Sequence, residues 1–87
     1  PAPGYTACPD HTEKLKLFRL LGSEKIEVSL TENMAMIPNA TVCGYYFSYP
    51  ESKYFTVGTV LDDQINDYAK RKKMTTEKVN QWLRTNI

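Results

Sequence analysis

Apolar and polar positions along the chain change period several times, and each change predicts an element. Leu17, Leu20 and Leu21 fall at i, i+3 and i+4, one face of a helix over residues 11–21. Asp10 stands where an N-cap belongs, Glu13 three residues on completes a capping box, and Gly22 is placed to end the helix. Ile26, Val28 and Leu30 then alternate with Glu27, Ser29 and Thr31, the period of a half-buried strand. Met34, Met36 and Ile37 extend the apolar content before a turn at Pro38-Asn39. Thr41 to Tyr49 is rich in β-branched and aromatic residues and predicts a second strand. Cys43, Tyr45, Phe47 and Tyr49 share one of its faces; Val42, Gly44, Tyr46 and Ser48 share the other. A turn at Pro50-Glu51-Ser52 leads into a third strand over Lys53–Val60, so the two form an antiparallel hairpin.

Helical spacing returns at Ile65, Tyr68 and Ala69, with Asp62 or Asp63 as cap and Lys70 to Lys73 at the C-terminal end of the macrodipole. Thr75 caps a last helix whose inner face is Val79, Trp82 and Leu83. The order is helix, three strands, two helices: an α+β fold with helices packed on a small antiparallel sheet.

Composition narrows the picture. With 87 residues the chain forms one small domain, and a domain of this size buries only about 60% of its unfolded surface. Its start at Pro1 without Met raises the expectation of a processed or excised piece. A net charge of +1 gives no overall attraction to nucleic acid or membrane. Two separated cysteines, Cys8 and Cys43, make neither a disulfide framework nor a zinc site, and His11 is the single histidine. No apolar stretch reaches the roughly 20 residues of a membrane span, and none has the order of a signal peptide. The cytoplasm is the expected compartment.

Three features bear on chemistry. The run Lys70-Arg71-Lys72-Lys73, near Trp82 and Arg84, invites a nucleic-acid reading, but it is one short block nearly balanced by acids, and a solvated helix end explains it. The aromatics Tyr45, Tyr46, Phe47, Tyr49, Tyr54 and Phe55 fit a core with cross-strand pairs, and equally a wall for a flat ligand or another domain. Pro1 to Pro9 holds three prolines and Gly4. Gly4 permits positive φ and close approach of a ligand, while an arm of this kind orders only if it packs on something. Cys8 and His11 make no catalytic pair, and neither a Ser/His/Asp set nor a phosphate-binding loop is present.

The strings PAPGYTACPDHTEK, LTENMAMIPNATVCGYYFSYPESKYFTVG and DDQINDYAKRKKM together resemble the C-terminal activation domain of cobalamin-dependent methionine synthase, in order and spacing, over essentially the whole chain. The resemblance implies a twisted antiparallel sheet with helices, residues 1–87 as one domain fragment and residues 1–9 as a ligand-binding turn and arm. It implies an enzyme that moves a methyl group from methyltetrahydrofolate through cobalamin to homocysteine. This domain would bind S-adenosylmethionine for reductive methylation of oxidised cobalamin. Cobalamin and zinc would sit on other domains. The implied partners are the cobalamin-binding domain and a flavodoxin or flavoprotein reductase, with no nucleic acid and no membrane.

The residues matching the family's ligand contacts are Ala2, Gly4 and Tyr5 in the turn, with Tyr54 and Phe55 of the later segment. Phe55 stands where tyrosine is frequent, Asn39 and Lys73 where glycine is frequent, and Tyr49 where histidine is frequent. The arginine expected before Pro1 and the acidic residues of the domain's earlier half lie outside this sequence. Weak or absent ligand binding by the chain alone is therefore expected, as is self-association through an uncovered sheet edge. A diverged stand-alone binding module and, more remotely, a small nucleic-acid-binding domain are the competing readings.

Overall fold

In the computed structural model, which describes all of residues 1–87, three helices and one short sheet follow a long N-terminal arm. Helix α1 spans Glu13–Leu21 and ends as expected, with Gly22 at φ 62° and its N–H donating to the Phe18 carbonyl. Its beginning differs from the expected capping box. Thr12 is the N-cap and makes no side-chain cap bond. Asp10 instead accepts from the Thr12 amide (2.8 Å) and hydroxyl (2.7 Å), an Asx-type turn whose sequence signature overlaps that of a cap. The expected apolar face is only partly used: Leu17 is buried, whereas Leu20 is 77% exposed and Leu21 is also exposed.

Ile26 lies in a 3-10 turn over Ser23–Ile26 and not in a strand, because Gly22 and Glu27 both take left-handed backbone around it. Strand β1 is thereby shortened to Ser29–Leu30. It pairs antiparallel with β2, Met36–Ile37, in the register Ser29 to Ile37 and Leu30 to Met36. The intervening turn is held by Thr31 N–H to the Ala35 carbonyl (2.9 Å), Met34 N–H to the Thr31 carbonyl (3.0 Å) and Ala35 N–H to the Thr31 hydroxyl (3.1 Å).

The α+β class with an antiparallel sheet holds, but the expected hairpin over 41–49 and 53–60 is not formed. Its turn exists, with Ser52 N–H donating to the Tyr49 carbonyl at 2.9 Å. Its arms do not pair with each other, and the N-terminal arm takes one amide from each: Tyr45 N–H donates to the Pro1 carbonyl (2.9 Å) and Val57 N–H to the Thr6 carbonyl (3.1 Å). The predicted alternation survives in part. Thr41, Cys43 and Tyr45 are half-buried between exposed Val42, Gly44 and Tyr46, and Tyr45 stacks on Phe47 at 5.8 Å.

Helix α2, Asp62–Lys72, is capped at Leu61, whose N–H donates to Gln64 Oε1 at 3.1 Å. Asp62 and Asp63 therefore occupy the first turn, where they complement the dipole without capping it. Helix α3, Thr76–Trp82, has the expected cap: Thr75 Oγ1 accepts from the Lys78 amide at 3.2 Å. Ile65 and Ala69 of α2 pack on Val79 of α3 and Leu83, with Val60, Tyr68 and Met74 at the edge. This helical pair holds most of the buried apolar side chains. The C-terminal residues close it, Asn86 accepting from the Val60 amide and donating through Nδ2 to the Gly58 carbonyl at 2.8 Å.

Candidate functional site

The N-terminal arm is ordered by its own hydrogen bonds and by packing. Gly4 N–H donates to the Cys8 carbonyl (2.7 Å), Cys8 N–H to the Tyr5 carbonyl (3.0 Å) and Tyr5 N–H to the Ala2 carbonyl (3.3 Å). Gly4 is required twice over. Its φ of 97° suits glycine, and a Cβ there would lie 2.1 Å from His11 Cε1. Gly44 serves the same docking from the other side, since a Cβ would come within 3.0 Å of the Pro1 carbonyl oxygen.

An anchor fixes this arm to α2. Asp10, 3% exposed, accepts a short hydrogen bond from the Tyr68 hydroxyl and has Lys72 Nζ at 3.6 Å; Lys72 also pairs with Glu13. Burial, followed by the bond to Asp10, pushes the Tyr68 phenol far above its ordinary pKa, so it remains a donor. The basic run is accordingly divided in use: Lys72 is mostly buried in this anchor, and Arg71 pairs with Asp67 at 2.9 Å.

Between the arm and residues 36–54 lies a cavity of about 1060 Å3. It brings together Ala2, Tyr5 and Tyr54 of the five residues that the sequence singles out. Gly4 shapes the turn behind the wall and has its N–H engaged by Cys8. Phe55 is exposed and is not part of the wall. The cavity also contains residues that the sequence does not mark: His11, Lys14, Met36 and Asn39 among them. A lysine on an amphipathic helix carries no signal of burial, and a single histidine near Cys8 points only to a pairing that the chain does not make.

Burial pushes the His11 imidazole below its ordinary pKa, with Lys14 adding to the effect and Asp10 opposing it. Its Nδ1 is buried without a partner, and the ring lies 6.2 Å from that of Trp82. Cys8 is shifted upward, first by burial and then by Glu13 and Asp10, so its thiol is a poor nucleophile. No group of three or more His, Cys, Asp or Glu side chains is placed to hold a metal ion. No helix is long and apolar enough to cross a membrane. Chemically, the arrangement is a large, partly aromatic pocket with backbone polar groups at one end, suited to holding a ligand.

Comparison with known proteins gives two matches. Residues 1–73 match the family model described as the activation domain of vitamin B12 dependent methionine synthase. The whole chain is also similar to a crystal structure of the MetH reactivation domain bound to AdoHcy, with 49% sequence identity and a TM-score of 0.95. The match covers 100% of this chain and 27% of that one, so the chain spans about a quarter of that relative's length.

Proposed function

The chain belongs to the activation-domain family of vitamin B12-dependent methionine synthases, and from that premise we propose that its cavity is the S-adenosyl ligand site used to reactivate the cobalamin of the parent enzyme. The observation that carries the reading is the meeting of the Pro1–Tyr5 turn with Tyr54 across a single cavity. A relative of the same fold holds AdoHcy, the demethylated form of S-adenosylmethionine. The volume suits a ligand of this size, since sites for drug-sized molecules run to roughly 300–1,000 Å3.

When bound, S-adenosylmethionine supplies the methyl group that restores oxidised cobalamin, with an electron from a flavodoxin or flavoprotein reductase. The residues of this chain bind and orient. The Pro1–Pro3 backbone, held in its turn by Gly4, presents polar groups to one end of the ligand. Tyr54 offers a ring and a hydroxyl opposite. Tyr5, 65% exposed at the rim, faces outward, where the cobalamin-binding domain would dock. Phe55 contributes no side-chain contact in this reading. In this reading cobalamin and zinc belong to other domains of the parent enzyme. The setting is the cytoplasm, and the parent reaction is methyl transfer from methyltetrahydrofolate to homocysteine.

The arginine and acidic residues that the family supplies from elsewhere are not among these 87 residues, so the chain alone should bind weakly, with a Kd of roughly millimolar or above. An NMR titration with AdoHcy tests this. The amides of Ala2–Tyr5 and of Tyr45–Tyr54 are expected to shift together. Shifts confined to other surfaces, or none up to the solubility limit, overturn the reading. Micromolar affinity would overturn the assignment of the missing groups.

A further inference from the structure

His11 stands where the N-terminal arm, α1 and α3 meet. Its backbone is firmly mounted. The flanking residues Asp10 and Thr12 are both buried, and the Thr12 amide and hydroxyl donate to the Asp10 carboxylate at 2.8 and 2.7 Å. The His11 carbonyl accepts from the Lys14 amide at 3.1 Å. Tyr68 of α2 donates to the same Asp10 carboxylate, so the mount is tied to the helical pair. A side chain carried on such a mount is held more closely than one on a free loop.

From this mount the imidazole makes two contacts. Toward the arm it fills the space beside Gly4: a β-carbon there would lie 2.1 Å from Cε1, 2.5 Å from Nε2 and 2.8 Å from Nδ1. The three nearest atoms to that position thus belong to one ring. Toward α3 it meets Trp82, with ring centroids 6.2 Å apart and planes tilted by 54°, within the range of a favourable aromatic pair. The spacing predicts Trp82 on the inner face of α3 with Val79 and Leu83. Those two enter the core, whereas Trp82 is half-buried and lies against His11. A glycine at φ 97° has the most conformational freedom to lose on ordering. The internal bonds of the turn, Gly4 N–H to the Cys8 carbonyl among them, set its shape but not its seat on the molecule. The ring supplies the seat.

We propose that His11, backed by Trp82, is a positioning residue that seats the Gly4 turn in the cavity wall and so sets the shape of its ligand-binding end. The consequence for binding rests on the S-adenosyl reading of that cavity; the seating itself does not depend on which ligand enters. His11 also lines the cavity, so direct contact between the imidazole and the ligand is the competing role. The two differ in what they do to Gly4 when no ligand is present.

The test compares the wild-type chain with His11→Ala, His11→Phe and Trp82→Leu by NMR, reading amide hydrogen exchange and titration with AdoHcy. In the wild type a nuclear Overhauser contact is expected between His11 Hε1 and the Gly4 Hα atoms. His11→Ala should speed exchange at the Gly4 and Cys8 amides by about 10-fold while Ile65, Ala69 and Val79 keep their rates. The AdoHcy shifts at Ala2–Tyr5, at one subsaturating concentration, should shrink by a similar factor, because apparent affinity falls with the fraction of chains whose turn is seated. Trp82→Leu should act in the same direction and less strongly. His11→Phe keeps a flat ring on the same mount and should restore most of both readouts. Weaker AdoHcy binding with unchanged Gly4 exchange means direct contact with the ligand and overturns the proposal. Faster exchange at Ile65, Ala69 and Val79 in step with Gly4 means a general loosening and overturns it too. Faster Gly4 exchange in His11→Ala, with no AdoHcy response even in the wild type, keeps the seating role and defeats the S-adenosyl reading. Absence of the wild-type Overhauser contact overturns the proposal outright, even if the variants fail to fold.

Discussion

The Tyr68 hydroxyl donates to the buried Asp10 carboxylate and so joins the end of the N-terminal arm to the middle of α2. These residues are 58 positions apart in sequence. The link connects the cavity side of the molecule to the only sizeable apolar core, that of α2 and α3. Tyr68→Phe removes the donor and keeps the ring over which Arg71 and Lys72 lie. Asp10 retains Thr12 and Lys72, so the loss should be about 1–2 kcal/mol, read as a lower urea midpoint. The sign of the pH dependence is also fixed. The folded phenol is raised, so the unfolded chain loses its proton first, and the bond's contribution is present below about pH 10 and declines above it. The gap between wild type and Tyr68→Phe should narrow as pH rises beyond that point.

His11 gives the opposite test at the acid end. Its folded pKa is lowered by burial, then by Lys14. At pH 7.5 the imidazole is mostly neutral in both folded and unfolded chains, and its titration contributes nothing to stability. As pH falls through the unfolded value of about 6.5, the unfolded chain takes up a proton that the folded chain resists, so stability falls with pH. Urea midpoints at pH 7.5 and 5.5 should differ more for wild type than for His11→Gln. An equal difference would show that other groups control acid stability.

How far the sequence could be read depends on whether the signal is local. The Gly22 terminus, the Thr75 cap and the Val79–Leu83 face are set within one helix, and all three appear. Asp10 reads as a cap because a capping box and an Asx-type turn use the same residues, and the choice between them is made by Tyr68 and Lys72, far along the chain. Residues 41–60 have the composition of strands, but composition does not specify a partner, and here Pro1 and Thr6 each claim one amide, those of Tyr45 and Val57. The family strings mark the turn and Tyr54, which meet in the cavity. Lys14 is silent in the sequence because its burial depends on the backbone of Met34, 20 residues later.

Lys73 ends α2 in left-handed backbone, at φ 56°, with its N–H donating to the Ala69 and Lys70 carbonyls. Met74 N–H completes the motif on the Ala69 carbonyl at 2.9 Å. The side chain is exposed and makes no ion pair, so it offsets none of the strain. Glycine removes the Cβ clash of about 1–2 kcal/mol and gives back part of that as extra freedom in the unfolded chain. Lys73→Gly should therefore stabilise the chain by about 0.5–1 kcal/mol, measured as a higher midpoint with an unchanged slope. A lower midpoint would mean that Lys73 contributes through charge at the helix end.

The segment from Thr41 to Thr59 carries the last prediction. Only the amides of Thr41, Tyr45, Ser52 and Val57 have backbone acceptors there, and no side chain accepts from the others. Val42 and Tyr46 are almost fully exposed on one side of it. Backbone with free donors beside the exposed side chains of Val42 and Tyr46 is a template for pairing with another chain. At concentrations on the order of 100 µM the chain should therefore dimerise, seen as a rise in mass by sedimentation velocity. Slowed exchange should follow at the Val42–Gly44 and Tyr46–Ser48 amides. Val42→Lys with Tyr46→Lys places charge on that edge without touching Tyr45 N–H, which binds Pro1, and should return the chain to monomer with α2 and α3 intact. A chain that stays monomeric into the millimolar range, with those amides exchanging freely, would show that solvent alone satisfies this edge.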